Sequence, residues 1–356
     1  MRARGSNEQH AIYVVKENGQ YKLLNFSELG FPGAIGLEVL DRIAAGNLDG
    51  ARVLLDWTRE DEPESGNGDP LDGSGFSRMW TKGRAANTDQ MKVAAAEILV
   101  QTRGTAQQGV KILEGALGSA TDEADKVNIK LGLMAGYGNL EDWGKGLAVA
   151  SALAKQYPGS SEAFEDEANC LINLGRYQEA DALAQERLKT IPDDVAARQV
   201  LIGSAVVRGD YALAHDLGRK LLKSGKADYG DMNNVGWHAL FTGKIEDEDL
   251  QTVAEAAQFS GGDPVILHTL GCLYAATGKI KEAHDVLAQA MTLMDFDEPT
   301  AGYWYAFGLI AEQFGEYDVA ARYYTHIEKP KRAIGIPDST YLLAQNRLAI
   351  LKTKGH

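Results

Sequence analysis

Residues 161–194 read SEAFEDEANCLINLGRYQEADALAQERLKTIPDD, and this stretch decides the fold. Phe164, Ala168 and Leu171 recur at helical spacing and draw one apolar stripe. Gly175 follows, where a tight turn calls for a residue free to take positive φ or to let two helices approach. Tyr177, Ala180 and Ala184 draw the stripe of a second helix, with Ala180 small enough for the helix crossing. Pro192 ends that helix, because proline lacks the N–H donor and clashes with the preceding turn. The unit is a helical hairpin.

Working outward, the same unit recurs. Glycines stand at Gly104, Gly138, Gly175, Gly209, Gly243, Gly278 and Gly315, separated by 34, 37, 34, 34, 35 and 37 residues, the mark of a repeat protein. The later copies carry Tyr211 and Ala214, Ile245, Ile280 and Ala283, and Tyr317 and Ala320 at matching places, with Gly236, Gly271 and Gly308 at the small-residue place of their first helices. This layout resembles the tetratricopeptide repeat (TPR). Two departures stand out. Glu248 falls where the helix crossing expects alanine, and the copy around Gly138 has about two extra residues before its second helix. The copy beginning at Gln90 keeps Gly104, Leu113 and Ala116 but has Glu97 at the small place.

The expected fold is all-α: a right-handed α-solenoid of about seven to eight TPR-like hairpins with a C-terminal capping helix, plus a short N-terminal β-hairpin. Residues 1–10 read as an added leader, and 11–25 as the β-hairpin, from two β-rich runs around Asn18-Gly19. Residues 32–60 read as a TPR-like hairpin around Gly46, and 61–89 as a Gly/Asp/Pro-rich insertion. The tandem array spans 90–333, and 337–353 reads as a helix covering the last apolar face, as terminal caps of solenoids must.

Fifty acidic against 36 basic residues give a formal net charge of −14. That balance repels a phosphate backbone, so nucleic acid is not an expected partner, even though pentatricopeptide RNA readers share a period near this one. No window is long and apolar enough to span a membrane; the expectation is a soluble protein of cytoplasm or periplasm. No phosphate loop, dinucleotide fingerprint, nucleophile elbow or HExxH is present. The segment GNGDPLDGSG (66–75) puts Pro70 and Met79 where a calcium loop needs ligands. Cys170 and Cys272 lie three repeats apart and lack a motif that supplies a base, while His215, His284, His238 and His268 find no set of zinc partners. The expectation is a non-enzyme without cofactor or metal.

The resemblance implies that first helices line a concave groove that holds a peptide or a partner protein. Its inward places carry Glu165, Asn169, Asn173, Gln199, Asn233, Trp237, Phe241, His268, Tyr305 and Gln313. Amides there can bond a partner's backbone whatever its sequence, and the aromatic residues offer anchor pockets; packing of Trp237 and Phe241 on a neighbouring helix is the alternative. The lysines and arginines with which some relatives clamp acidic tails are missing, and Glu165 repels such tails. The leading function is therefore a scaffold or adaptor. The alternative is a regulatory or substrate-docking module of a larger bacterial enzyme whose catalytic domain lies outside this sequence.

Overall fold

The computed structural model describes residues 14–17, 20–23, 30–58, 71, 87–294 and 298–353. The fold class is all-α. Ahead of the helices, Val14–Glu17 (β1) and Gln20–Leu23 (β2) pair antiparallel, with Val14 opposite Leu23. The expected leader and the Asn18-Gly19 turn lie outside the described residues.

The chain forms two compact units, 1–170 and 171–356. In the first, α1 (Gly30–Ala44) pairs with α2 (Leu48–Trp57), α3 (Thr88–Val100) with α4 (Arg103–Ser119), and α5 (Glu123–Leu140) with α6 (Trp143–Gln156). The helix α7 (Ser161–Asn173) carries the division between the units and leads to α8 (Tyr177–Thr190). The second unit continues with α9 (Val195–Val207) and α10 (Tyr211–Lys223), α11 (Tyr229–Thr242) and α12 (Asp247–Phe259), and α13 (Pro264–Ala276) and α14 (Ile280–Met294). It closes with α15 (Ala301–Gln313), α16 (Tyr317–Thr325) and a single helix α17 (Thr340–Thr353). Within each unit, first helices lie beside first helices, α1 by α3 by α5 and α11 by α13 by α15.

The stripes of 161–194 are buried as the spacing requires, Phe164 and Leu171 nearly so and Ala168, Ala180 and Ala184 completely. Gly175, Gly209, Gly243, Gly278 and Gly315 all take φ between 68° and 78°, a region that costs side-chain-bearing residues energy. At Gly175 the turn is a Schellman motif: Gly175 N–H reaches Ile172 O, and Arg176 N–H reaches Leu171 O, each at 2.9 Å. The small-residue places also do what close packing needs. A β-carbon on Gly236 would sit 2.2 Å from Val253, and one on Gly271 would sit 2.5 Å from Leu287.

Two glycines of the ladder are not turn residues. Gly138 lies inside α5, which runs on to Leu140, and the turn falls on Glu141 at φ 59°. Glu141 N–H bonds Gly138 O and Asp142 N–H bonds Tyr137 O, the Schellman pair again, so a glutamate holds the position glycine fills elsewhere. Gly104 likewise sits in the first turn of α4. Glu141→Gly is expected to stabilise the first unit by about 0.5–1 kcal/mol, because relief of left-handed backbone outweighs loss of the exposed Arg103 pair; a urea midpoint that falls would contradict it.

The crossing place in α12 is corrected too. The turn after Gly243 is longer, α12 starts at Asp247, and the fully buried residue is Asp249, while Glu248 faces solvent. The buried carboxylate is satisfied: His215 Nε2 lies 2.8 Å and Arg219 Nη2 2.9 Å from Oδ1, and Glu246 N–H donates to Oδ2 at 2.8 Å. Burial alone would raise the Asp249 carboxyl, but these partners hold it below its ordinary value.

Of the insertion 61–89, Leu71 is described apart from the start of α3. It is completely buried with Val127, Leu131, Leu153 and Ala163 of the first unit. The rest of the calcium-loop-like segment lies outside the described residues.

Candidate functional site: a clamp and a cavity on the second unit

The ten expected groove residues meet different fates. Glu165 and Asn169 belong to the first unit. Asn173 is half-buried, and Gln199 and Gln313 are exposed. Tyr305 cannot line a surface: it is 2% exposed, tilted against Tyr324 at 5.8 Å between ring centres. The residue that continues the row is Tyr303, two places earlier, because α15 turns Tyr305 toward its own second helix.

Rings from four helices touch in sequence. Tyr211 of α10 stacks on Phe241 at 4.2 Å, and Phe241 meets Trp237 edge-on at 6.1 Å. Trp237 meets His268 of α13 at 6.0 Å, which meets Tyr303 of α15 at 5.2 Å. Phe241 and His268 are therefore committed to the chain's own packing, and burial draws the His268 imidazole below its usual value.

Trp237 is engaged differently. Its Nε1–H donates at 2.9 Å to the main-chain carbonyl of Asp338, 101 residues away. Tyr211 lies close to the same residue, whose main chain and carboxyl both bear on its phenol. Asp338 stands at φ 65° in the strap between α16 and α17, just after Pro337. The Trp237 side chain thus holds the backbone of the segment that joins α16 to α17 beside the first helices α9 and α11.

Beside this clamp, residues of α9 and α11 line a cavity of about 370 Å³. Ile202, Val206 and Val235 give it apolar walls, and Gly203 faces open space. Its polar groups are Gln199, Asp231, Asn234, His238 and Asp338. Gln199 Nε2–H donates to Asp231 Oδ1 at 2.9 Å, and Asp228 N–H to Oδ2 at 3.2 Å. His238 is 3% exposed, its Nδ1 has no hydrogen-bond partner, and its Nε2 lies 3.7 Å from Asp338 Oδ1, which has none either. Burial pushes His238 down to about 4 and Asp338 up to about 7. Asn233, half-buried on the same helix, also keeps an unpartnered amide oxygen.

Sequence reasoning placed Trp237, Gln199 and Asn233 here but missed Tyr211, Asp231 and Asp338. Asp231 carried a local signal, since it closes the capping box with Asp228. Asp338 carried none.

Among the described residues no three His, Cys, Asp or Glu side chains gather as a metal set. Both thiols are buried, and burial raises Cys170 to about 11 and Cys272 further, opposite to a nucleophile's need. No described helix is long and apolar enough to cross a membrane.

No protein-family model matches this chain, and no curated protein does. Similar solved structures include a tetratricopeptide repeat protein from Parabacteroides merdae ATCC 43184, at 17% identity over 88% of this chain and 99% of that one, with a TM-score of 0.40. The APC/C hetero-tetramer Cut9-Hcn1 is 13% identical over 93% of this chain and 59% of that one, with a TM-score of 0.45. YrrB, described as a TPR protein with an unusual peptide-binding site, is 18% identical over 55% of this chain and 96% of that one, with a TM-score of 0.39.

Proposed function

We propose that the protein is an interaction scaffold whose second unit holds an extended segment of another protein on the face built by α9, α11 and α13. The observation that carries this reading is the Trp237 clamp on the Asp338 main chain, with its Nε1–H on the Asp338 carbonyl. A side chain that bonds a backbone carbonyl holds a segment whatever its sequence, and this face already holds one. Exposed Gln199 and Asn234 and half-buried Asn233 extend the same capacity along it. The chemistry asked of such a protein is binding and needs no reactive group.

Two carboxylates, Asp231 and Asp338, line the face, so an acidic C-terminal peptide is the wrong ligand, as the missing basic clamp already implied. Random peptides displayed on an array should be retained by the wild type. Gln199→Ala with Asn234→Ala should weaken retention at least about tenfold, or about 1.4 kcal/mol, with an unchanged circular dichroism spectrum. Equal retention by the double variant, or retention of none by either protein, removes this reading.

A further inference from the structure

The cavity between α9 and α11 has a composition that the scaffold reading does not require. Two carboxylates and an imidazole line it, and no lysine or arginine does. The carboxylates differ in what they lack. Asp231 is satisfied on both oxygens, whereas Asp338 Oδ1 is shut from solvent with no hydrogen-bond partner, the His238 Nε2 standing off at 3.7 Å. Independently, His238 is almost fully buried with Nδ1 unpartnered. Buried polar atoms left without partners are uncommon in folded proteins, and here two residues from different elements that each carry one line the same cavity. Both can accept a hydrogen bond: the carboxylate oxygen, and Nδ1 of the neutral imidazole when Nε2 carries the proton. That Nε2–H, 3.7 Å from Asp338 Oδ1, is too far to satisfy it, so what is absent is a donor within hydrogen-bond distance.

We propose that this cavity takes the cationic end of a lysine or arginine side chain carried by the bound segment. The inference rests on the scaffold reading and names what its partner must present. Guanidinium and ammonium groups are pure donors, and a charge-assisted bond to Asp338 satisfies the orphan oxygen while it neutralises the carboxylate. The aliphatic stem then lies against Ile202, Val206 and Val235, as long basic side chains do on apolar surface. A divalent cation is a poorer occupant, because only one carboxylate has coordination capacity to spare. An anion would meet two carboxylates.

The test uses the whole protein with 15N-labelled indoles, because the Trp237 Nε1–H sits on the main chain of Asp338 and reports on the cavity. Butylguanidinium is titrated against the neutral isostere butylurea. The expected result is a saturable shift of the Trp237 signal with the cation and none with the urea. In Asp338→Asn the fold should persist, because asparagine tolerates the left-handed backbone and the Trp237 bond is to the main chain; there the cation should bind at least tenfold more weakly. An arginine-centred alanine pentapeptide should bind more tightly than butylguanidinium, and its citrulline counterpart should not. No shift with the cation, or equal shifts with cation and urea, overturns the proposal even if the peptide array upholds the scaffold reading. A pentapeptide that binds no better than the free cation overturns the assignment to a side chain and points to a small amine ligand. Failure of the array alone leaves the cation titration to be read by itself, so the two readings fall separately.

Discussion

Arg347→Ala is expected to lower the stability of the second unit by about 3 kcal/mol. Arg347 projects from α17 onto Glu312 of α15, donating from Nε at 2.9 Å and also from Nη2. The glutamate side chain is 6% exposed, and its Oε1 also accepts the Tyr324 hydroxyl at 2.6 Å. Removing the arginine leaves a buried carboxylate answered by one neutral donor, and breaking a buried pair in this way typically costs about 3–5 kcal/mol. The figure here is set at the low end because the guanidinium side is 31% exposed. The same residue fastens α17, whose Leu343, Ala344 and Leu351 close the core of the last hairpin. Urea unfolding followed by tyrosine and tryptophan fluorescence should show the midpoint fall. Arg347→Lys should recover part of the loss, because a point charge replaces a two-bond fork. An Arg347→Ala midpoint within error of the wild type would show that the pair contributes nothing net.

Gly308→Ala is expected to destabilise by about 2 kcal/mol, although alanine is the better helix former by about 1 kcal/mol. A β-carbon there would lie 2.2 Å from Tyr324 Cε1 and 2.6 Å from Cζ. Tyr324 has no exposed surface and cannot step aside, because its hydroxyl is tied to Glu312 and its ring lies against Tyr305. Overpacking of this kind costs about 1–3 kcal/mol, and more where the neighbour is rigid. Gly203 is the control. It too sits in a first helix, but nothing lies within 4 Å of its would-be β-carbon, so Gly203→Ala should stabilise by up to about 1 kcal/mol. Thermal unfolding of both variants decides the matter; equal signs would mean that propensity, and not contact, governs these positions.

The sequence by itself determined the repeat, its hairpin unit and its close-packing positions. A period near 35 residues with a glycine at the turn is a local pattern, and so is a small residue facing a large one. Gly175, Ala180, Gly236 and Gly308 could therefore be assigned without coordinates, and each does the work its place requires. The interior of each hairpin rests on near neighbours in the chain, which is why it was legible.

Tertiary structure alone decided where that pattern shifts and what occupies the candidate site. The helix α5 runs past Gly138 and puts the turn on Glu141, and α12 starts late and puts Asp249 at the crossing. A few residues of helix extension or delay leave composition unchanged but move the side chains of that helix around its axis. The clamp on Asp338 joins α11 to a strap 101 residues onward. No periodicity encodes a contact between a repeat and a non-repeating segment. It exists because the strap lies over the cavity lined by α9 and α11, and only the packed chain brings His238 and Asp338 to that cavity's wall.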